Sequence, residues 1–177
     1  MEPYVIDEVP GLYRVLQLKA FRHTPGVDFD QYPIPSLESI DGIDRVIHSS
    51  AAISPGPVGE VERPWYMHPN QADNLLVLHG TRFVDIYTPA HGKVEHFEVT
   101  PEKVYKNGEL IAEVGAVLVW PRGVFHRIRS GDSGSASVNI ARHYKGFDIR
   151  TNFSIYQVDT KTGEFSVIRE GHMDQME

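Results

Sequence analysis

Apolar and polar residues alternate with a period of two through most of the chain, and helical spacing is scarce. The pattern predicts strands over Leu12–Phe21, Asp44–Ile53, Asn74–Gly80, Thr81–Pro89, Lys93–Val99, Ala116–Trp120, Phe125–Ser130, Ala136–Tyr144 and Phe153–Asp159. Successive strand residues face opposite sides of a sheet, so this alternation marks half-buried strands. Turn-forming runs stand between them: TPAHGK, KNGE, PRGV, SGDSGS and DTKTGE. Glycine supplies positive φ in such turns, and proline presets φ. Pro35–Val46 and Thr100–Gly108 could hold short helical turns, since Thr100 followed by Pro101 and Glu102 suits a helix start. Many short strands with this punctuation predict an all-β barrel or sandwich.

At 177 residues the chain is long enough for one domain with a real core. The turn-rich connector Ser54–Pro64 divides it into two parts. Residues 1–64 are expected to form N-terminal strands and an arm packing on or extending the barrel; residues 65–177 are expected to form the barrel core and C-terminal strands. No internal repeat or low-complexity segment interrupts them.

Composition narrows the function. The formal net charge is −7, with acids and bases mixed along the chain. Nucleic acid as main partner is therefore not expected, because phosphate binding needs a concentrated basic surface. Cysteine is absent, which excludes disulfides, thiolate metal sites and cysteine nucleophiles. Any metal must rest on imidazole, carboxylate or other oxygen donors. The first residues carry acids and a proline where a secretion signal needs a basic start and an apolar block. No run approaches the roughly 18–20 apolar residues of a membrane span. The expectation is a cytoplasmic protein with no membrane partner.

The stretch RPWYMHPNQADNLLVLHG, Arg63–Gly80, crowds an imidazole, amides and a carboxylate ahead of an apolar run. It reads as a strand, a turn at PNQA and a second strand. Tyr66 and His68 are two apart and share a face, and Asp73 opens the next strand across the turn. Further on, GAVLVWPRGVFH repeats the form: a buried strand, a turn at Pro121 and Gly123, then His126 on the same face as Ile128. If Ile128 points into the barrel, so does His126. Arg127 and Arg129 then face outward. Gln71 and Asn74 are either turn residues or substrate contacts. His79 alternates with Asp73, and Asn139 and His143 alternate on one strand, so all three are candidates to line the same cavity.

These residues resemble the cupin superfamily of small β-barrels. Its first motif has the form G-x5-H-x-H-x3–4-E-x6-G; aligned on Gly80, this chain reads Tyr66-x-His68-x4-Asp73-x6-Gly80. The second, G-x5-P-x-G-x2-H-x3-N, is matched at Gly115, Pro121, Gly123 and His126, with Ser130 for the final asparagine. The resemblance covers roughly residues 60–130. It implies a jelly-roll, double-stranded β-helix barrel with few helical turns. It also implies one divalent metal (Fe, Zn, Mn or Ni) on His68, Asp73 and His126. Asp73 keeps the charge of the usual glutamate but reaches about 1.5 Å less far, against metal–ligand bonds of about 2.0–2.2 Å. Tyr66 replaces the first histidine, and a neutral phenol is a poor ligand.

Three functions are open at this stage. The first is a metal-dependent cupin enzyme (isomerase, lyase or dioxygenase-like) acting on a small polar metabolite, with Tyr66 moving a proton. The second is a metal-free enzyme like the sugar-nucleotide epimerases and ketoisomerases, with His68 as base and a tyrosine as acid. The third is a non-catalytic small-ligand-binding barrel. A homodimer through edge or N-terminal strands is expected, since an all-β chain has edges to protect.

Overall fold

The computed structural model describes residues 4–176; residues 1–3 of the first segment and residue 177 of the second lie outside the described residues. The described residues form fifteen strands. They are β1 (Val5–Val9), β2 (Tyr13–Gln17), β3 (Lys19–Thr24), β4 (Val27–Gln31), β5 (Gly42–His48), β6 (Ile53–Ser54), β7 (Trp65–Met67) and β8 (Gln71–Tyr87). After them come β9 (Glu95–Val99), β10 (Val104–Lys106), β11 (Glu109–Ala112), β12 (Ala116–Trp120), β13 (Phe125–His143), β14 (Ile155–Val158) and β15 (Phe165–Arg169). One four-residue helix, α1, covers Ile149–Asn152. Among the described residues, no helix is long and apolar enough to cross a membrane.

Two long strands organise everything else. β8 and β13 pair antiparallel along nearly their whole length, from Phe125 opposite Tyr87 to His143 opposite Gln71. The first half of β8 pairs on its other side with β12, which continues to β2 and β1. Its second half pairs instead with β9. β13 does the same in reverse: residues 125–130 pair with β7 and β6, residues 135–141 with β5. Each long strand therefore belongs to one face of the barrel at its start and to the other at its end. β3 and β4 form a separate two-stranded sheet.

The sequence pattern divided each long strand in two at its glycines, and the structure joins the halves. The reason is a close backbone crossing. Gly80 and Gly134 both have positive φ, and a Cβ on Gly80 would meet the Gly134 carbonyl oxygen at 2.1 Å. The SGDSGS run is thus a bulged bend inside β13, with its register broken between Ser130 and Ser135. Bulges of this kind bend a strand without ending it. Thr100–Gly108 holds β10 and no helix, whereas a short 3-10 turn at Ile34–Ser36 overlaps the start of the Pro35–Val46 segment.

The apolar core fills one part of the interior. Val15 of β2, Leu75, Val77, Val84 and Ile86 of β8, Phe97 and Val99 of β9, Val104 of β10 and Leu118 of β12 pack together almost without exposure. Burial of this apolar surface is the main force closing the barrel.

Candidate active site

The other part of the interior is a cavity of ≈ 270 Å³ lined by Tyr66, His68, Gln71, Asp73, Arg82, Trp120, His126, Ser137 and Asn139, among others. Tyr66 and His68 do share a face, as their spacing predicts. The hairpin expected of them does not form. β7 pairs with β13 and β14 rather than with β8. The connecting segment is pinned elsewhere: the Gly123 amide donates to the His68 carbonyl at 2.9 Å, and the Asn70 amide donates to Asn152 Oδ1 at 3.3 Å. The turns of the two motifs are thereby tied to one another.

His68 is buried. Its Nδ1 lies 2.8 Å from the backbone oxygen of Asn152, and a carbonyl can only accept, so Nδ1 carries the hydrogen. Nε2 is then the unprotonated nitrogen, and it faces Asp73 Oδ2 at 3.5 Å, longer than an ordinary hydrogen bond. Phe153 packs edge-on against the same ring, with centroids 4.7 Å apart. Asp73 is oriented by two amides: Gln71 Nε2 and Asn139 Nδ2 each donate to Oδ1 at 2.7 Å. Gln71 is in turn held by Asn152 Nδ2 at 3.3 Å. Oδ2 is buried and has no hydrogen-bond partner.

His126 lies 4.7 Å from His68, ring to ring, and 4.9 Å from Trp120. Its Nδ1 faces the Val124 oxygen at 3.1 Å, which turns Nε2 inward by the same reasoning. Burial, with His68 beside it, pushes the His126 pKa down to about 3, so the ring is neutral near pH 7. Tyr66 completes the group, its ring centroid 6.0 Å from His68 and 6.1 Å from His126. Burial raises its pKa above the ordinary phenol value. A buried phenol keeps its proton and can donate it.

Of the substrate-contact candidates, Gln71 and Asn139 line the cavity. Three do not. Asn74 points to the opposite face of β8, where it accepts from the Tyr32 hydroxyl at 2.6 Å and borders a separate hollow of ≈ 300 Å³. His79 is exposed: the ladder passes from Ser137 opposite Val77 to Ala136 opposite His79, and that bulge flips the alternation started at Asp73. His143 stacks flat on Phe147, ring centroids 3.5 Å apart, at the far end of β13.

Asn152, Phe153, Ser137 and Arg82 escaped the sequence reading. Arg82 left a signal: in TRFVDIY it occupies the same register as Val84 and Ile86, a charge on a face that is otherwise apolar. Asn152 left none, because it reaches the site from α1 through a tertiary contact.

No family model and no curated protein matches the chain. Solved structures do. A sugar 3,4-ketoisomerase from Thermoanaerobacterium thermosaccharolyticum, in complex with TDP, superposes with a TM-score of 0.55 at 12% identity, over 80% of this chain and 85% of that one. A dTDP sugar isomerase from Desulfovibrio desulfuricans gives 0.57 at 14%, over 80% and 83%. A 4-keto-6-deoxy sugar epimerase from the novobiocin biosynthetic gene cluster of Streptomyces spheroides gives 0.56 at 10%, over 80% and 67%. The chain has the cupin fold. At such identities the likeness establishes the barrel and leaves the chemistry to the site.

The comparisons correct the expectation of a metal-dependent enzyme. The solved structures that this chain resembles are, by name, a sugar 3,4-ketoisomerase, a dTDP sugar isomerase and a 4-keto-6-deoxy sugar epimerase, the class of the second, metal-free reading. The site gives a physical reason. One nitrogen each of His68 and His126 and one oxygen of Asp73 do lie within 4.8 Å of one another. The position of the remaining motif histidine, however, holds a phenol that burial keeps protonated. Asp73 has one oxygen already saturated by two amides, and its other oxygen faces the nitrogen that a base would use.

Proposed function

We propose that this cupin is a metal-independent isomerase or epimerase acting on the sugar part of a sugar nucleotide, by proton transfer next to a carbonyl. The observation that carries the reading is the buried His68–Asp73 pair, backed by the Asn152 carbonyl, in one cavity with a protonated Tyr66. His68 Nε2 takes the proton from the carbon beside the carbonyl, and the electron pair moves into an enediolate. The Asn152 oxygen accepts the Nδ1 hydrogen of the resulting imidazolium and fixes the ring, and Asp73, its Oδ2 3.5 Å from Nε2, balances the ring's positive charge. Tyr66 supplies a proton to the far side. Return to the former carbonyl carbon, with the hydroxyl proton passing from one enediolate oxygen to the other, gives a ketoisomerase; return to the opposite face of the same carbon gives an epimerase.

The size of the cavity suits the reading. At ≈ 270 Å³ it lies just below the usual range of roughly 300–1,000 Å³ for small-molecule sites, room for a sugar ring with the nucleotide lying outside. The assembly that goes with this reading is a cytoplasmic homodimer with no nucleic-acid or membrane partner; sedimentation at micromolar concentration checks the dimer.

The test is deuterium exchange. Incubated with TDP-4-keto-6-deoxyglucose in deuterated buffer, the wild type is expected to exchange hydrogen at a carbon next to the ketone, and His68→Asn is not. Binding without exchange in the wild type would identify a ligand-binding barrel and end the proposal.

A further inference from the structure

Arg82 has no part in the proton transfer, yet it lines the same cavity. It is 1% exposed. Its Nε donates to Ser135 Oγ at 2.9 Å and its Nη2 to the Val46 oxygen at 3.1 Å. Both acceptors are neutral. Nη1 has no hydrogen-bond partner among the described residues, and no carboxylate there forms an ion pair with this guanidinium. The acids that line the cavity, Asp44 and Asp73, are bridged instead by Asn139 Nδ2 at 3.2 and 2.7 Å. His48 reaches the Arg82 network through Ser130, which touches Ser135 at 2.6 Å. Burial, and then the charge of Arg82, hold the His48 pKa down to about 4, so that ring is neutral near pH 7 and adds no second cation.

Buried charges in proteins are paired or hydrogen-bonded on all sides, because leaving water otherwise costs too much. An arginine cannot escape that cost by losing its proton near neutral pH; burial lowers the Arg82 pKa only to about 10. Two further donors in the cavity stand without a partner, Ser137 Oγ and Trp120 Nε1. The interior thus holds an uncompensated cation and spare hydrogen-bond donors, facing a space of sugar size.

We propose that Arg82 receives an oxyanion carried by the sugar itself, a carboxylate or a phosphate, held by Nη1 and the free hydrogen of Nη2. The inference rests on the acid–base reading of this cavity and names a preference within its substrate class: an acidic sugar over a neutral deoxysugar. Two oxygens of a carboxylate or a phosphate can accept parallel hydrogen bonds from the guanidinium fork, which favours this ligand over a hydroxyl. The spacing is compatible. Arg82 lies opposite Ser130 on β13, four residues from His126. That is ~13 Å along a strand at about 3.3 Å per residue, a gap that the two inward side chains shorten towards the length of one hexose derivative.

The experiment compares thermal shifts of the wild type with D-glucuronate, D-glucose 6-phosphate and D-glucose at matched ionic strength. One or both charged sugars are expected to raise the melting temperature where glucose does not, and the two charged arms separate carboxylate from phosphate. Arg82→Gln is expected to weaken that binding at least tenfold. Equal shifts with glucose, no shift with either acid, or unchanged binding by Arg82→Gln would overturn the proposal. If Arg82→Gln does not fold, wild-type crystals soaked with the sugar that binds decide: an oxyanion within hydrogen-bond distance of Nη1 supports the assignment, and one placed elsewhere refutes it. Lack of exchange by the wild type with binding intact would sink the acid–base reading alone, and charge-blind binding would sink only this one.

Discussion

The barrel has two interiors made from the same strands. β8 contributes Val84 and Ile86 to the dry core and Asp73 and Arg82 to the cavity; on β12, Leu118 packs in the core and Trp120 stands between the two, packed in the core and lining the cavity. The dry side is apolar and closely packed. The cavity side holds three buried polar atoms without protein partners: Asp73 Oδ2, Trp120 Nε1 and Ser137 Oγ. Unpaired buried polar atoms are destabilising and rare in folded proteins. Their concentration around one hollow teaches that stability and chemistry are kept apart within a single strand, by which residue occupies each inward position.

That division can be broken from either side. His68→Asn should lower proton exchange by about 1,000-fold, within the 10²–10⁴ range of a positioned general base, with a small change in melting temperature; a large loss of stability with exchange retained would show that His68 belongs to the core. Phe97→Ala should do the converse. Deleting its buried ring is expected to cost about 3–5 kcal/mol of stability in denaturant unfolding, while exchange per folded molecule stays as in the wild type. Tyr66→Phe comes next, with an expected loss of about 100-fold in exchange and an unchanged affinity for substrate. A Tyr66→Phe enzyme of full activity would assign the second proton to water.

A smaller effect separates the two interiors by pH. The core cluster holds no acid or imidazole, and its Tyr13 phenol is pushed up to about 12 by burial, whereas His126 is held neutral in the fold, its pKa down at about 3 against 6.5 for a free imidazole, by burial and by His68. Between those values the unfolded chain binds a proton that the native chain refuses. Stability therefore falls as pH drops below 6.5 and goes on falling towards about 3, by up to about 1.4 kcal/mol per pH unit. His48, with a pKa lowered to about 4, works in the same direction. Denaturant unfolding at pH 6 and pH 5 checks this, and His126→Asn should flatten the slope. An unchanged slope in that variant would show that His126 takes up its proton in the fold as it does in the unfolded chain.

Much of this was legible in the sequence. Period-two alternation gives the all-β class, and the spacing of Gly115, Pro121, Gly123 and His126 points to the barrel, because a turn and an inward histidine are local features. Tyr66 and His68 follow from the same local logic. What local logic cannot hold is register after a bulge. His79 leaves the cavity because one extra residue near Leu78 resets the alternation, and Arg82 enters it for the same reason. The β7–β8 hairpin failed similarly: both strands seek β13, a partner about sixty positions away. Asn152 reaches His68 across 84 positions, and no pattern in the chain announces that contact.

The smallest expected effect is that of a chelator. Dialysis against EDTA should change neither exchange nor melting temperature, and added Zn²⁺ should inhibit. The reasoning turns on one lone pair. With Nδ1 committed to the Asn152 oxygen, His68 offers only Nε2, and an ion bound there removes the base that the reaction needs. The three donor atoms within 4.8 Å make such capping feasible with a first-row ion, so inhibition should be relieved by EDTA and weakened by Asp73→Asn. A metal-dependent site would respond with the opposite sign: activity lost with EDTA and restored by the ion. The direction of the response to zinc thus tests whether the cavity's nitrogen carries a proton or a metal.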